Sequence, residues 1–262
     1  MPSKLGQNFL KNKDVVKRIV DSAGLNMEDF AVEVGPGKGI LTEELAKVCK
    51  EVMAVEIDRD LISALRSKFE KNEKIKILEG DILGMNIEGI MSHKLRSKGY
   101  KVVANIPYYI TSPLIRFFLE NEFPPREMIL MVQKEVAERI TAKPGNHSIL
   151  SLSVQYYANP ELLFYVDKNN FDPVPEVDSA VIKILVDSQC LPINRKNADS
   201  FFRVVRAGFC AKRKTLNNNL SNSFHLSKKE AEEKLKTAGI LGAARAQELD
   251  IEDWKKLARL FL

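Results

Sequence analysis

Asn105-Ile106-Pro107-Tyr108 follows directly on the apolar run Val102-Val103-Ala104. An amide, a rigid turn and an aromatic ring thus stand together at the end of a run that reads as a buried strand. Such a group can hold a planar base face-on and accept hydrogen bonds from its exocyclic amine. Proline fixes the turn and has no N–H to compete for an acceptor. The alternative is a strand followed by a proline turn with a packed tyrosine. These four residues alone do not separate the two.

The chemistry extends to other strand ends. Ala31-Val34 runs into Gly35-Pro36-Gly37-Lys38-Gly39, after which a helical pattern begins. Glycines there allow a tight turn and close approach of a ligand to the main chain, and a helix N-terminus offers unpaired amides. The spacing is one residue short of the dinucleotide fingerprint. Glu33, just before the loop, disfavours a pyrophosphate and suits a cationic cofactor. S-adenosylmethionine, with a sulfonium and an ammonium, fits that charge. Glu56 ends the next strand, about 20 residues past the loop, where an acid can bind ribose hydroxyls. Asp81 follows the third strand and can accept from an adenine amino group, with Ile57 and Ile82 on either side of the ring. A single strand-end acid is explained by helix capping. Glu33, Glu56, Asp81 and Asn105 together describe a ligand lying across the carboxyl edge of a sheet.

Positioning these residues requires alternating strands and helices. The spacing predicts strands at Ala31-Val34, Val52-Ile57, Ile75-Leu78, Lys101-Ala104, Met128-Val132, Leu162-Val166 and Ala180-Val186. Helices are expected at Asp14-Ala23, Leu41-Lys47, Asp60-Phe69, Pro113-Leu119 and Lys134-Ile140. This alternation implies a parallel doubly wound sheet, with the late strands as an antiparallel edge pair. Asp187-Ser200, polar and containing Pro192, reads as a linker. Helices are expected after it at Phe201-Phe209, Thr215-Ser221, Lys228-Ala238 and Ile251-Phe261. Two domains follow: 1–188, carrying the cofactor site, and 189–262, all helical.

The 262 residues and 45% hydrophobic content suit a globular protein of that size. No apolar run is long enough for a membrane helix. The opening Met-Pro-Ser-Lys-Leu-Gly-Gln lacks the apolar run of a secretory signal. Cys49, Cys190 and Cys210 are far apart, as are His93, His147 and His225, so neither a disulfide framework nor a metal centre is expected. The net charge of +5 is uneven. Residues 1–182 carry −2, whereas residues 183–262 carry +7. A basic tail third implies an anionic partner or a solvated helical surface.

These motifs resemble the ribosomal RNA adenine N6,N6-dimethyltransferase family, small-subunit KsgA type. Lys4-Leu5-Gly6-Gln7-Asn8-Phe9-Leu10 resembles its N-terminal motif, and Glu33 to Thr42 its glycine loop. Glu56, Gly80-Asp81 and Asn105-Ile106-Pro107-Tyr108 are similar to the next three. Val132 to Arg139, Phe171 to Ser179 and Phe209 to Leu220 extend the similarity over nearly the whole chain. Two departures are Tyr109, where many members have a smaller polar residue, and Ser148-Ile149-Leu150, where a Tyr-Gly pair is common.

The resemblance implies a Rossmann-like α/β methyltransferase domain with a smaller C-terminal all-helical domain. It implies S-adenosylmethionine as cofactor and dimethylation of two adjacent adenosines near the 3′ end of small-subunit RNA. Gln7, Asn8 and Leu10 join Glu33, Gly35, Gly37, Glu56, Ile57, Asp81, Ile82 and Asn105 as cofactor contacts. The Asn105 oxygen and the Ile106 carbonyl would accept from the target amine, Pro107 would hold the turn, and Tyr108 and Phe171 would stack on the two faces of the base. A target base in a stacked loop must be flipped out to reach them. The alternative for Phe171 is a core ring. Arg203, Arg206, Lys212, Arg213 and Lys214 would contact phosphates. The expected partner is ribosomal RNA in the small subunit or its precursor, met by a cytoplasmic monomer. Two other functions remain open: a large-subunit RNA adenine methyltransferase conferring macrolide resistance, and a non-catalytic ribosome-assembly or nucleic-acid-binding factor.

Overall fold

The computed structural model describes residues 8–86, 99–187 and 195–261. The chain divides into two compact units. One comprises Met1–Ala137 with Ala158–Val186, and the other Glu138–Tyr157 with Asp187–Leu262.

In the first unit the strands are β1 (Phe9–Leu10), β2 (Phe30–Val34), β3 (Glu51–Glu56), β4 (Ile75–Glu79), β5 (Lys101–Asn105), β6 (Glu127–Gln133), β7 (Ala158–Val166), β8 (Phe171–Asp172) and β9 (Ser179–Val186). Seven of them form one sheet in the order β4-β3-β2-β5-β6-β9-β7. From β4 to β6 all pairs are parallel. β9 runs antiparallel to both β6 and β7, which gives the expected antiparallel edge. All seven expected strands form, and the central ones, covered on both faces, read as continuous apolar runs. Val52, Val102, Val103, Met128, Ile129 and Ile182 are fully buried.

The helices of this unit are α1 (Lys13–Ser22), α2 (Ile40–Val48), α3 (Arg59–Phe69), α4 (Thr111–Leu119) and α5 (Lys134–Ile140), the last of which runs into the second unit. Val15, Val16, Ile19 and Val20 form the buried stripe of α1, and the Asn12 side chain caps it by accepting from the Asp14 and Val15 amides. α4 starts at Thr111, two residues before Pro113, which still lies in the first turn where no intrahelical N–H partner is needed. β2 and β5 are neighbours although β3 and β4 intervene in sequence. The chain therefore reverses direction across the sheet between them, and such a switch point opens a crevice at the carboxyl ends of the strands.

The second unit holds α6 (Ile149–Gln155), α7 (Arg195–Gly208), α8 (Leu216–Phe224), α9 (Lys228–Thr237) and α10 (Ile251–Phe261). Phe201, Val204, Leu216, Leu220, Leu235, Trp254 and Leu257 are buried together in its core.

Three features differ from the expectations. Residues 138–157 pack with the helical unit, not with the sheet. Gly145 and His147 donate backbone N–H bonds to the Gln247 carbonyl, and His147 Nδ1 lies 2.8 Å from the Leu249 carbonyl. Leu152 enters the helical core, and Tyr156 packs 4.3 Å from Phe201 between ring centroids. The unexpected helix α6 lies in this segment. Ser148 and Ser151 cap it reciprocally, which replaces the usual glutamate partner with a second serine. Finally, residues 195–200 belong to α7, so the expected linker ends earlier. Pro192 and Cys190 lie outside the described residues, as do Gln7 and His93.

Candidate active site

The carboxyl ends of β2, β3 and β5 frame a cleft of about 230 Å³. Its walls include Asn8, Phe9, Leu10, Glu33, Gly35, Gly37, Glu56, Ile57, Asp81, Ile82, Asn105, Ile106, Pro107, Tyr108 and Phe171. Every sequence-derived cofactor and base-site residue within the described chain is therefore brought to one cavity.

The loop after β2 makes the floor. Gly35 N–H donates to the Val55 carbonyl at 2.9 Å, tying the loop to β3. Gly37 has φ +57°, and a Cβ there would lie 2.9 Å from the Phe9 ring. Gly39 caps α2 with φ +75°, and a Cβ there would lie 2.8 Å from Phe69. Any side chain at either position meets both a wall and an unfavourable backbone conformation. Lys68 of α3 reaches over to donate to the Lys38 and Gly39 carbonyls at 3.3 and 3.4 Å.

Glu56 does more than end a strand. Its Oε2 accepts from Gly37 N–H at 3.2 Å, and its Oε1 accepts from Ile57 and Asp58 N–H at 2.9 and 3.0 Å. The carboxylate thus holds the glycine loop to β3 while lining the cleft. Carboxylate oxygens have about four acceptor directions between them, so one remains for a ligand hydroxyl. Asp81 caps the short turn Ile82–Gly84 through Oδ1 and Leu83 N–H at 3.0 Å. Ile82 is buried, whereas Ile57 is half exposed and presents an apolar face.

Glu33 is 2% exposed, and its Oε2 has no hydrogen-bond partner within the protein. Burial pushes its carboxyl up to about 8, helped by the nearby charge of Glu56 and opposed by Thr42 and Lys68. The Thr42 hydroxyl is the strongest influence in the opposite direction, although Thr42 Oγ1 is buried without a hydrogen bond of good geometry. A buried acid with an orphaned oxygen, facing a cleft, matches a cationic ligand and not an anionic one.

That arrangement predicts a proton linkage. Below pH 8 the free protein holds Glu33 mainly protonated, and a cation in the cleft favours the ionised form. Binding must then expel a proton, so affinity for S-adenosylmethionine should rise as pH rises from about 6 toward 8. Calorimetry at about pH 7 in buffers of different ionisation enthalpy should detect nearly one proton released. Glu33→Gln should abolish that release; release unchanged in the variant would place the proton elsewhere.

On the other wall, Asn105 ends β5 opposite Met131, and Ile106 N–H donates to the Met131 carbonyl at 3.1 Å. Among the described residues, neither the Asn105 side chain nor the Ile106 carbonyl has a hydrogen-bond partner. Both residues line the cleft, and pairing with β6 holds their backbone. Tyr108 begins a short turn closed by Ile110 N–H on the Pro107 carbonyl, and its hydroxyl lies 2.9 Å from Ser179 Oγ. Tyr109 is 63% exposed at the cleft edge. Phe171 is 1% exposed, so it is a core ring and a cleft wall at once. It is held there by the antiparallel pairing of β1 with β8, Leu10 opposite Phe171.

Arg203, Arg206, Lys212, Arg213 and Lys214 all lie in the second unit and are exposed. The Arg203 guanidinium sits 5.3 Å over the Phe224 ring. Gln7, an expected cofactor contact, lies outside the described residues.

Residue spacing did not single out Phe9, Thr42, Lys68 or Ser179 for these places. Phe9 and Ser179 stand inside stretches already noted for their motifs. Thr42 closes the stretch noted for the glycine loop, whereas Lys68 carries no local signal, since only the folded α3 brings it to the loop.

A model of the ribosomal RNA adenine dimethylase family matches residues 1–261. Ribosomal RNA small subunit methyltransferase A of Dehalococcoides mccartyi is 44% identical over 253 residues, covering 97% of this chain and 86% of the relative. The protein of the same name from Clostridioides difficile is 39% identical over 259 residues, covering 98% and 89%. Among solved structures, a dimethyladenosine transferase from Plasmodium falciparum has TM-score 0.79 at 26% identity, covering 95% of each chain. The 23S rRNA methyltransferase ErmE has TM-score 0.77 at 27% identity, covering 97% of this chain and 99% of its own.

Proposed function

The chain belongs to the ribosomal RNA adenine dimethylase family, and from that premise we propose that it dimethylates the exocyclic amines of two adjacent adenosines near the 3′ end of small-subunit RNA. It is an S-adenosylmethionine-dependent enzyme. The relatives at 39% and 44% identity carry small-subunit names, which favours that subunit over the large one. The observation that carries the chemistry is the pair of unpartnered acceptors, the Asn105 amide and the Ile106 carbonyl, on the same cleft as Glu33 and Glu56.

When bound, S-adenosylmethionine supplies a methyl group on a positively charged sulfur. Glu33 would offset its positive charge, Glu56 would accept from the ribose, and Asp81, Ile57 and Ile82 would hold the adenine, with Asn8 and Leu10 closing the cleft. An adenine amine is a weak nucleophile because its lone pair is delocalised into the ring. Asn105 and Ile106 accept from its hydrogens, which localises the lone pair as the nitrogen becomes tetrahedral. Tyr108 and Phe171 hold the flipped base between them. Positioning and fixed dipoles supply the rate, and no strong general base is required.

Incubating the protein with labelled cofactor and separate undermethylated subunits, then mapping the modified nucleotides, tests this function. Dimethyladenosine confined to small-subunit RNA is the expected result. Label confined to large-subunit RNA would overturn the substrate assignment, and label in neither would overturn the enzymatic one.

The second unit would orient the ribosomal particle through phosphates, leaving base selection to the cleft. Replacing Lys212, Arg213 and Lys214 with Gln should weaken small-subunit binding and flatten its salt dependence by about one unit per lost contact. Cofactor affinity should not change, because the cleft is built from the first unit. An unchanged affinity and slope across a salt series would return the cluster to a solvated helical face. The protein is proposed to act as a cytoplasmic monomer; none of the described helices is long and apolar enough to cross a membrane.

A further inference from the structure

Tyr108 and Phe171 both line the cleft, and both are tied to one short stretch of chain. Phe171 begins that stretch and Ser179 ends it. Phe171 is fixed by its pairing with Leu10. Ser179 is fixed as the first residue of β9, where it lies opposite Gln133 of β6 and Val166 of β7. The preceding residue, Asp178, adds two more ties: its carbonyl accepts from Lys134 N–H at 3.0 Å, and its Oδ1 accepts from Lys168 N–H at 3.1 Å. The Ser179 side chain is completely buried, and its hydroxyl lies 2.9 Å from the Tyr108 hydroxyl.

Tyr108 needs such a tie. It sits on a short turn of three residues, a weak element by itself. Its ring is only partly buried, and among the described residues its hydroxyl has Ser179 as partner. A ring on a turn has two side-chain torsions to lose before it can serve as a flat stacking face, and a hydrogen bond at its far end restricts both.

We infer that Ser179 is a positioning residue for methyl transfer: its hydroxyl fixes the tilt of the Tyr108 ring in the cleft, and so the face that the ring offers to the target base. The inference rests on the assignment of Tyr108 and Phe171 to the two faces of the target base. Ser179 touches neither base nor cofactor in this scheme. It acts through Tyr108, and its effect falls on how well a bound base is aligned.

The test compares Ser179→Ala, Tyr108→Phe, their combination and Tyr108→Ala, using the full chain with small subunits as substrate. Ser179→Ala leaves the strand pairings of β9 intact, because these are made by the backbone. Misalignment without lost contacts lowers turnover more than binding, so kcat should fall roughly ten- to a hundredfold in either single variant, with KM for the subunit and cofactor affinity within about twofold of the parent. Since both variants remove the same bond, the double variant should be no slower than the worse single one. Turnover near that of the parent in Ser179→Ala or Tyr108→Phe, or losses that multiply in the double variant, would overturn the inference. Tyr108→Ala separates the two levels. A large loss there with a normal Ser179→Ala sinks only the positioning role, whereas normal turnover in Tyr108→Ala sinks the base slot itself. If Ser179→Ala proves unstable, Tyr108→Phe breaks the same bond from the cleft side and decides the matter.

Discussion

Asn105→Ala should lower methyl transfer by about a hundredfold or more at saturating RNA and cofactor, while changing subunit affinity little. The size follows from removing one preorganised hydrogen-bonding group aimed at developing charge, an effect of roughly 10²–10³ in turnover. The asymmetry follows because a group that acts mainly in the transition state contributes little to ground-state binding. The fold should survive, because the strand register of β5 with β6 uses the Asn105 backbone and not its side chain. Asn105→Asp, which is nearly isosteric and keeps an acceptor, should retain more turnover than Asn105→Ala. Single-turnover rates beside equilibrium subunit binding measure both quantities. Turnover near that of the parent in Asn105→Ala would remove the amide from the chemistry and leave positioning alone to explain the rate.

Glu56→Ala should have the other large effect, on the cofactor. The ribose contact is only part of the reason. The same carboxylate accepts from the amides of Gly37, Ile57 and Asp58. The buried Gly37 donor left unpaired costs about 1–3 kcal/mol, and the glycine loop loses its tie to β3. S-adenosylmethionine affinity should fall at least tenfold and on the order of a hundredfold. Glu56→Gln should not rescue it fully, since the amide nitrogen cannot accept from Gly37 as the carboxylate oxygen does. Calorimetric titration of each variant checks this, together with a thermal melt to separate loop loss from global instability. Unchanged affinity would take Glu56 out of the site.

The strands and their acids were legible from sequence for a simple reason. A parallel sheet covered on both faces needs an apolar residue at nearly every strand position, so the runs at 31–34, 52–57 and 101–104 stand out. Within such runs Glu33, Glu56 and Asn105 are conspicuous because burying them without a partner is costly. The short glycine spacing and the charge of Glu33 then distinguished the cofactor class. Local signals failed where the stabilising contact is distant. β1 and β8 are two residues each and lie more than 150 residues apart. α6 leaves no clear sequence signal because Ile149-Leu150-Ser151-Leu152-Ser153-Val154-Gln155 has no regular polar face, and its cap uses a serine where a glutamate is the usual mark.

Sequence by itself therefore determined the class of fold, the cofactor edge and the residues gathered there. These depend on side-chain type and on periods of two and 3.6 residues along the chain. Only the tertiary structure decided which groups are already engaged and which are left to meet a ligand. It gave Glu56 three backbone partners, left Glu33 Oε2 and the Asn105 side chain without a hydrogen bond among the described residues, and joined Tyr108 to Ser179 across 71 residues. It also moved residues 138–157 from the sheet to the helical unit. Hydrogen bonding and desolvation depend on distance in space and on the exclusion of water, and neither is encoded in spacing along the chain.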